Sequence, residues 1–374
     1  LELRTDGYDP LRAYELEEAL SNCLSCKACT TECPSNVNLA LLKAELLYAR
    51  HRRDGLPLRE RMLSSVDLLG RLGCLAPGLA NAALDFEPLR KLMSKTLGIS
   101  AKRPLPQYAD ERFDKWFARH CRGRSPLGGH RPPLQERGRV ILWDDTFVRY
   151  HEPHIGIAAV AVLEALGFEV SLLKDRACCG RPAFSQGNLD EARRLGRHNL
   201  NLLCASAPDV PVVFLEPSCY SMFVEDYREL NLADSPTAGR RAVLFERFVE
   251  DILSREPDAL GFRNGATQTV AIHAHCHAKA LMKPAFMVRL AQRLPGRTVQ
   301  LLDTGCCGMA GAFGALDSKY ELSVQVAQLL VRAIAAQPTN AAIVASGTSC
   351  RHQIEHLTPR KPKHMAEVLA DALI

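Results

Sequence analysis

The sequence predicts an α/β protein with an N-terminal all-α part, and three observations carry that expectation. From residue 140 onward, short apolar runs alternate with helix-length amphipathic segments, the pattern of a parallel sheet covered by helices. The alternation occurs twice in the same order, each time around a Cys-Cys-Gly triplet, Cys178-Cys179-Gly180 and then Cys306-Cys307-Gly308. Ahead of it the apolar residues keep a helical period only, interrupted by Cys23-Leu24-Ser25-Cys26-Lys27-Ala28-Cys29-Thr30-Thr31-Glu32-Cys33-Pro34.

A chain of 374 residues is long for one core and suits two or three domains. With 24% charged residues and a net charge of +5, nucleic acid is not an expected partner. The 14 cysteines are the outlier in composition. They cluster as C-x-x-C and Cys-Cys-Gly rather than spreading as a disulfide framework, which predicts a reducing, cytoplasmic location. The apolar run over residues 156–166 is too short to span a bilayer and is broken by Glu164. The first residue is Leu1, not methionine, so a C-terminal fragment of a longer protein is expected.

The x2, x2, x3 cysteine run closed by proline has the spacing of a ferredoxin-type [4Fe–4S] ligand set: Cys23, Cys26, Cys29 and Cys33. Three cysteines two residues apart wrap one cubane, and the fourth points elsewhere. Zinc is the competing ligand for paired C-x-x-C. Helices are predicted on both sides, over residues 11–20 (Leu11, Leu16, Ala19 and Leu20 on one face) and 38–51 (Leu39, Leu42, Leu46 and Leu47). They make a helical ferredoxin-like domain over residues 1–121, continued by helical segments at 58–72, 79–97 and 109–118. Cys74 and Cys121 stand alone and read as small buried hydrophobes. Residues 119–133, rich in Arg, Gly and Pro, read as a surface arm, which places a linker at 122–138.

The first Cys-Cys-Gly domain is expected over 139–260 and the second over 261–374. In the first, strands at 140–142, 168–173 and 212–215 alternate with helices at 152–166 and 188–205. In the second, strands at 269–272, 299–302 and 341–345 alternate with helices at 279–294 and 318–335. Both copies place their cysteines after the carboxyl ends of strands, where open α/β sheets hold ligands. The second copy offers four thiols, Cys276, Cys306, Cys307 and Cys350, enough for one cluster. Gly308 gives the adjacent pair its backbone freedom. His273, His275 and His277 alternate, so a continuing strand would put them on one face; His275 and His277 are candidate metal ligands, with pocket lining or proton transfer as the other reading. The first copy keeps Cys178, Cys179 and Cys219 but has Asp144-Asp145-Thr146 where the second has Cys276, which makes Asp145 a candidate ligand. It has lost its cluster, or shares one site with the second copy, or uses Cys178-Cys179 as redox thiols or a packed loop. Cys204 reads as core.

Together these motifs resemble the iron–sulfur portion of FAD-linked 2-hydroxyacid oxidases and dehydrogenases of the D-lactate and D-2-hydroxyglutarate type. The resemblance rests on residues 23–37, on Asp145-Thr146-Phe147-Val148-Arg149-Tyr150-His151-Glu152-Pro153, on His275-Cys276-His277-Ala278-Lys279-Ala280 and on Gly347-Thr348-Ser349-Cys350-Arg351-His352-Gln353. The chain is also similar to the glycolate oxidase iron–sulfur subunit, to the third subunit of anaerobic glycerol-3-phosphate dehydrogenase and to the Cys-Cys-Gly-bearing subunit of heterodisulfide reductase. The resemblance implies an electron-transfer module with one or two [4Fe–4S] clusters. It would take electrons from a flavin-binding dehydrogenase domain or subunit and deliver them to a quinone or another acceptor, with peripheral association at the inner membrane face. No Gly-rich FAD segment is identifiable, so FAD belongs to a partner or a missing N-terminal region, and substrate is not oxidised by this chain alone. Two departures stand out. Met222 and Gln353 replace the last cysteine of the family's C-x-x-C, and only one of two ferredoxin runs is present. A heterodisulfide-reductase-like thiol/disulfide enzyme and a zinc-binding docking module are the alternatives.

Overall fold

The computed structural model describes residues 13–123 and 137–374. Two parallel sheets form its frame. The first has the order β2-β1-β3-β4, built from β1 (Arg139–Trp143), β2 (Glu169–Leu172), β3 (Val212–Phe214) and β4 (Ala242–Leu244). The second has the order β6-β5-β7, from β5 (Gln268–His273), β6 (Arg297–Leu301) and β7 (Ala342–Ala345). The central strands are continuous apolar runs because helices cover both faces, whereas edge strands β2 and β6 keep exposed positions.

The duplication extends to an exchange of helices. Phe245–Arg255, which ends the first copy, packs on Ala285–Gln292 of the second. Met365–Ala372, which ends the second copy, packs on Pro153–Ala165 of the first. Pro153–Ala165 is apolar nearly all round and is correspondingly buried between the sheet and its visitor. Before each exchanged helix the chain runs parallel to the strand preceding it, as β4 along β3 and as a single bridge from Lys363 to Val344. β4 and the two exchanged helices were not legible in the sequence, since Ala242-Val243-Leu244 is too short to stand out.

The predicted strands are found within a residue or two of their places. Several long helices are instead pairs. Residues 279–294 divide into Cys276–Leu281 and Ala285–Gln292 around Pro284, where proline removes a helical donor. Residues 318–335 divide at Ala327, 58–72 at Ser65, and 79–97 at Phe86, ahead of Pro88. The helix after the cysteine run, Leu39–Asp54, forms with Asn38 capping it, but its leucine stripe is not the buried one: Ala40 and Ala44 are buried while Leu39 and Leu42 are exposed. Small residues allow that helix to approach the first copy closely. Of the face expected over 11–20, Leu16 and Leu20 are half-buried, Ala19 is exposed, and Leu11 lies outside the described residues. Residues 119–122 belong to the helix Phe113–Arg122 rather than to an arm, and 124–136 of the expected linker lie outside the described residues. Cys121 and Cys204 are exposed, contrary to the expectation of burial, because each falls at the end of its helix, beyond the buried face; Cys74 is half-buried and donates to the Tyr150 carbonyl at 3.4 Å.

Buried arginines fasten the helical part to both copies. Arg176 reaches Asp67 at 2.9 Å and Asp144 at 3.4 Å. Arg103 donates to the Gly314 carbonyl at 3.0 Å and to Ser323 at 3.2 Å, and also meets Gln353. Between the copies, Arg351 makes a two-pronged contact with Glu152 at 3.0 and 2.7 Å. Although burial works against ionisation, Arg351 holds Glu152 down at about 2.

Lys27, from the cysteine run, is 1% exposed and sits 2.8 Å from Asp226, with Glu225 as its second partner. Lys27→Met should lower stability by on the order of 3 kcal/mol, because it leaves buried Asp226 short of a cation; a urea midpoint comparison reads this, and an unchanged midpoint would refute the load assigned to the pair. Glu246 presents the opposite sign. Burial pushes its carboxyl up to about 7, above its unfolded value, so the folded state holds the proton longer than the unfolded state. Stability should fall as pH rises from about 4.5 to about 7 by on the order of 3 kcal/mol, and Glu246→Gln should flatten that slope, as read from urea midpoints at pH 5 and pH 8.

Candidate iron–sulfur site

The strand ends of both sheets and the cysteine run line one cavity of about 700 Å³. Cys23 enters from the run, Cys178, Cys179 and Cys219 from the first copy, and Cys276, Cys306 and Cys307 from the second, with Cys350 buried behind Cys307. The sequence therefore distributed its cysteines over more than 300 positions, and the two sheets gather them.

The local backbone explains how each group is aimed. In the run, Ser25 and Lys27 take φ of +52° and +63°, so the chain turns around its own thiols, and the Ser25 amide donates to the Cys23 sulfur at 3.4 Å. The Leu39 amide donates to Cys29 at 3.4 Å. Burial, ahead of the charges of Cys276, Cys23 and Cys29, raises the pKa of Cys26. Cys33 turns away: it is solvated, and amides of Val37, Ser35 and Asn36 lower its pKa. In the copies, Gly180 and Gly308 take φ of +86° and +82°; a side chain at Gly308 would meet the Ser323 carbonyl at 2.3 Å.

The pseudo-symmetry identifies equivalent positions. Asp145 caps the helix Thr146–Tyr150 by accepting from the Phe147 amide at 2.8 Å, and His275 caps Cys276–Leu281 by accepting from the His277 amide at 3.1 Å. Asp145 thus stands for His275, and Thr146 for Cys276. In the second copy the thiols form a series, Cys276 to Cys306 to Cys307 to Cys350. In the first the series runs Thr146, Cys178, Cys179, Cys219, with a hydroxyl in the leading place.

Strand geometry ends at His273, so the three histidines do not share a face. His273 bonds Thr304 at 2.7 Å, leaving Nε2 without a partner, and burial drives its pKa down to about 3. His277, kept neutral by burial, donates from Nε2 to the Ser25 carbonyl at 2.9 Å and pairs Nδ1 with Ser221 at 3.3 Å. It pins the cysteine run to the second copy. His275 lies 3.9 Å from Glu216; burial opposes its charge, but Cys276 and Glu216 outweigh it and raise its pKa. Asp145 is buried with Oδ2 unpartnered, and burial, then Glu216, raise its pKa to about 7.

Several residues that position the site carry no motif. Glu216 caps its own helix through Ser218 at 3.0 Å and accepts from the Thr348 amide of the other copy at 2.8 Å, tying the two cysteine-bearing helix starts together. Its place two residues before Ser218-Cys219, at a strand end, is the only sequence cue. Asp226 is delivered by a π-helical turn, Met222–Asp226, a local irregularity common at functional sites. Met222 is fully buried and Gln353 is bonded to Arg103 and Ser323, so both positions that depart from C-x-x-C have structural work.

The donor set fits a soft, thiolate-seeking group. Cys178, Cys179, Cys276 and Cys307 are pushed well above the usual thiol value, by shared hydrogen bonds with neighbouring thiols and by burial. Thiols crowded in a dry site stay protonated unless a cation takes their place, and iron–sulfur cores do so. N–H groups aimed at Cys23, Cys29 and, from Gly308 at 3.4 Å, at Cys306 are the donors that cluster thiolates accept. Among the described residues no group of three or more His, Cys, Asp or Glu side chains converges on one ion-sized point.

The sequence profile of the cysteine-rich domain matches residues 146–224 and 270–355. The chain is 27% identical to the third subunit of anaerobic glycerol-3-phosphate dehydrogenase from Escherichia coli, over 96% of this chain and 99% of that protein. It is 27% identical to D-2-hydroxyglutarate dehydrogenase of Pseudomonas putida over 96% of its own length, which spans 34% of that enzyme. Lactate utilization protein A 1 of Bacillus mycoides is 28% identical over 58% of this chain and 90% of its own. The chain carries the cysteine-rich domain twice and is homologous to the third subunit of anaerobic glycerol-3-phosphate dehydrogenase, to D-2-hydroxyglutarate dehydrogenase and to lactate utilization protein A.

Proposed function

We propose that this chain is an iron–sulfur electron-transfer module that serves a flavin-linked dehydrogenase of the D-2-hydroxyacid type and passes electrons to a quinone or another acceptor. The observation that carries this is the convergence of a ferredoxin-type run and two Cys-Cys-Gly copies on one cavity. Two [4Fe–4S] sites are proposed, one on Cys23, Cys26 and Cys29 with Cys33 or another thiol as the fourth ligand, and one on Cys276, Cys306, Cys307 and Cys350. Clusters there would supply one-electron chemistry. The residues around them do the rest: His277 and Lys27 hold the run against both copies, and Lys43, donating to the Cys23 carbonyl at 2.6 Å, brings positive charge beside the thiols. The dehydrogenase relatives support a flavin-bearing partner for this chain.

We also propose that the module lies against the inner face of a membrane. No helix among the described residues is long and apolar enough to cross one. However, Leu68, Leu72, Leu75, Leu79 and Phe86 are all more than half exposed, and residues 72–84 carry no charge. Such a face suits shallow insertion at a lipid surface.

Anaerobically purified protein should contain about eight irons with matching acid-labile sulfide per chain, given two four-iron clusters. Cys26→Ser should remove one EPR signal after dithionite reduction and Cys307→Ser the other; loss of both signals in either variant would overturn two separate sites, and zinc without sulfide would overturn the cluster reading. For the membrane face, wild type should float with vesicles of anionic phospholipid and Leu75→Asp/Leu79→Asp should not. Equal flotation of the two would assign that face to a protein partner instead.

A further inference from the structure

Two thiols of the first copy lie in close contact. The Cys179 and Cys219 sulfurs lie 3.0 Å apart. Two thiolates on one zinc-like ion, each about 2.3 Å from it in tetrahedral array, stand about 3.8 Å apart. A disulfide needs about 2.05 Å. The pair is therefore inside the separation that a shared ion would set and about 1 Å from a bond. The hydroxyl of Thr146 occupies the position from which Cys276 leads the series in the second copy, so a fourth thiolate is missing where a cluster would need one.

A second observation falls on the same pair. Arg181 follows Cys179-Gly180 directly and donates from Nε to the Ser218 carbonyl at 3.4 Å, adjoining Cys219. Its other end is anchored on Ser221 at 2.5 Å and on Asp226, which leaves Nη1 buried with no partner. The Arg181 charge acts on both Cys179 and Cys219, and a guanidinium so placed is what a transient thiolate requires. The Tyr227 hydroxyl donates to the Cys179 carbonyl at 2.8 Å and fixes that residue's backbone.

We propose that Cys179 and Cys219 are a redox-active dithiol, a two-electron store beside the one-electron sites of the second copy. In the reducing direction the S–S bond breaks, two electrons enter, and two protons complete the two thiols. The donor is a reduced flavin, which gives up two electrons and two protons and becomes oxidised; this donor rests on the function proposed above. In the oxidising direction the two thiols lose two protons and two electrons to a quinone-class acceptor, and the S–S bond forms. Cys178 shares hydrogen bonds with Cys179 and with Thr146, and the proposed bond leaves it a thiol.

The test uses the full chain as purified anaerobically. It is equilibrated in dithiothreitol buffers of graded oxidised-to-reduced ratio, quenched in acid, alkylated under denaturing conditions, digested and mapped by mass spectrometry. A linked pair of peptides holding Cys179 and Cys219 should appear in oxidising buffers and vanish in reducing ones, with a two-electron dependence on the ratio. Cys219→Ser, or Cys219→Ala where serine fails to fold, should abolish the linked pair and keep the wild-type iron content. Absence of the linked pair at every ratio, linkage of Cys178 in its place, or loss of iron in a folded Cys219 variant would overturn the proposal. A chain without iron that still gives the linked pair would refute the cluster reading and leave the dithiol standing; iron without the linked pair does the reverse.

Discussion

Asp226 is a carboxylate with no solvent exposure, held between the cations of Lys27 and Arg181. Burial alone would raise its pKa, but the two cations outweigh burial and keep it ionised. Much of the site hangs on this one cluster of charge. Lys27 lies between Cys26 and Cys29, so the ion pair sets the depth at which the cysteine run meets the first copy. Arg181 follows Cys179, so the same carboxylate orients the guanidinium beside the first copy's thiols. A buried charge without its partners is costly, which makes the docking specific rather than merely adhesive.

A second layer of constraint comes from hydrogen bonds that cross the duplication. Glu216 caps a helix in its own copy and accepts from the start of the equivalent helix in the other. Glu152 and Arg351 join the copies on the far side of the same helix starts. The exchanged terminal helices complete the union through apolar burial, and one hydrophobic core runs from Ala44 through both sheets to Leu369. A cavity lined by both copies needs such rigidity, because a redox site works only if its groups keep their separation.

The two copies have diverged in chemistry while retaining their frame. Both place a capped helix after the first strand and a left-handed glycine after the cysteine pair. Replacing Cys276 by Thr146 and His275 by Asp145 changes what the frame presents without changing its shape. The second copy keeps four thiols in series, and the first presents a close sulfur pair flanked by an arginine. Met222 and Gln353, which depart from the C-x-x-C pattern, serve the core and the anchoring of Arg103.

The sequence alone determined the parts whose signals are local. Alternating short apolar runs and helical segments specified two parallel units, because a buried strand and an amphipathic helix each leave a periodic trace in a few residues. The cysteine spacing and the Cys-Cys-Gly triplets marked the site, because thiolate ligation limits how a chain can be spaced. Tertiary structure decided what depends on neighbours distant in the chain. Leu39 and Leu42 face outward while Ala40 and Ala44 are buried, since close approach of a helix favours small side chains over the greasiest ones. The histidines at 273, 275 and 277 diverge because a helix, not a strand, follows the first of them. Lys27, Arg181, Glu216 and Asp226 look like ordinary surface charges in the sequence; they became interior because opposite charges, or for Glu216 a backbone amide, from other elements meet them there, and no local pattern records pairings between elements so far apart in the chain.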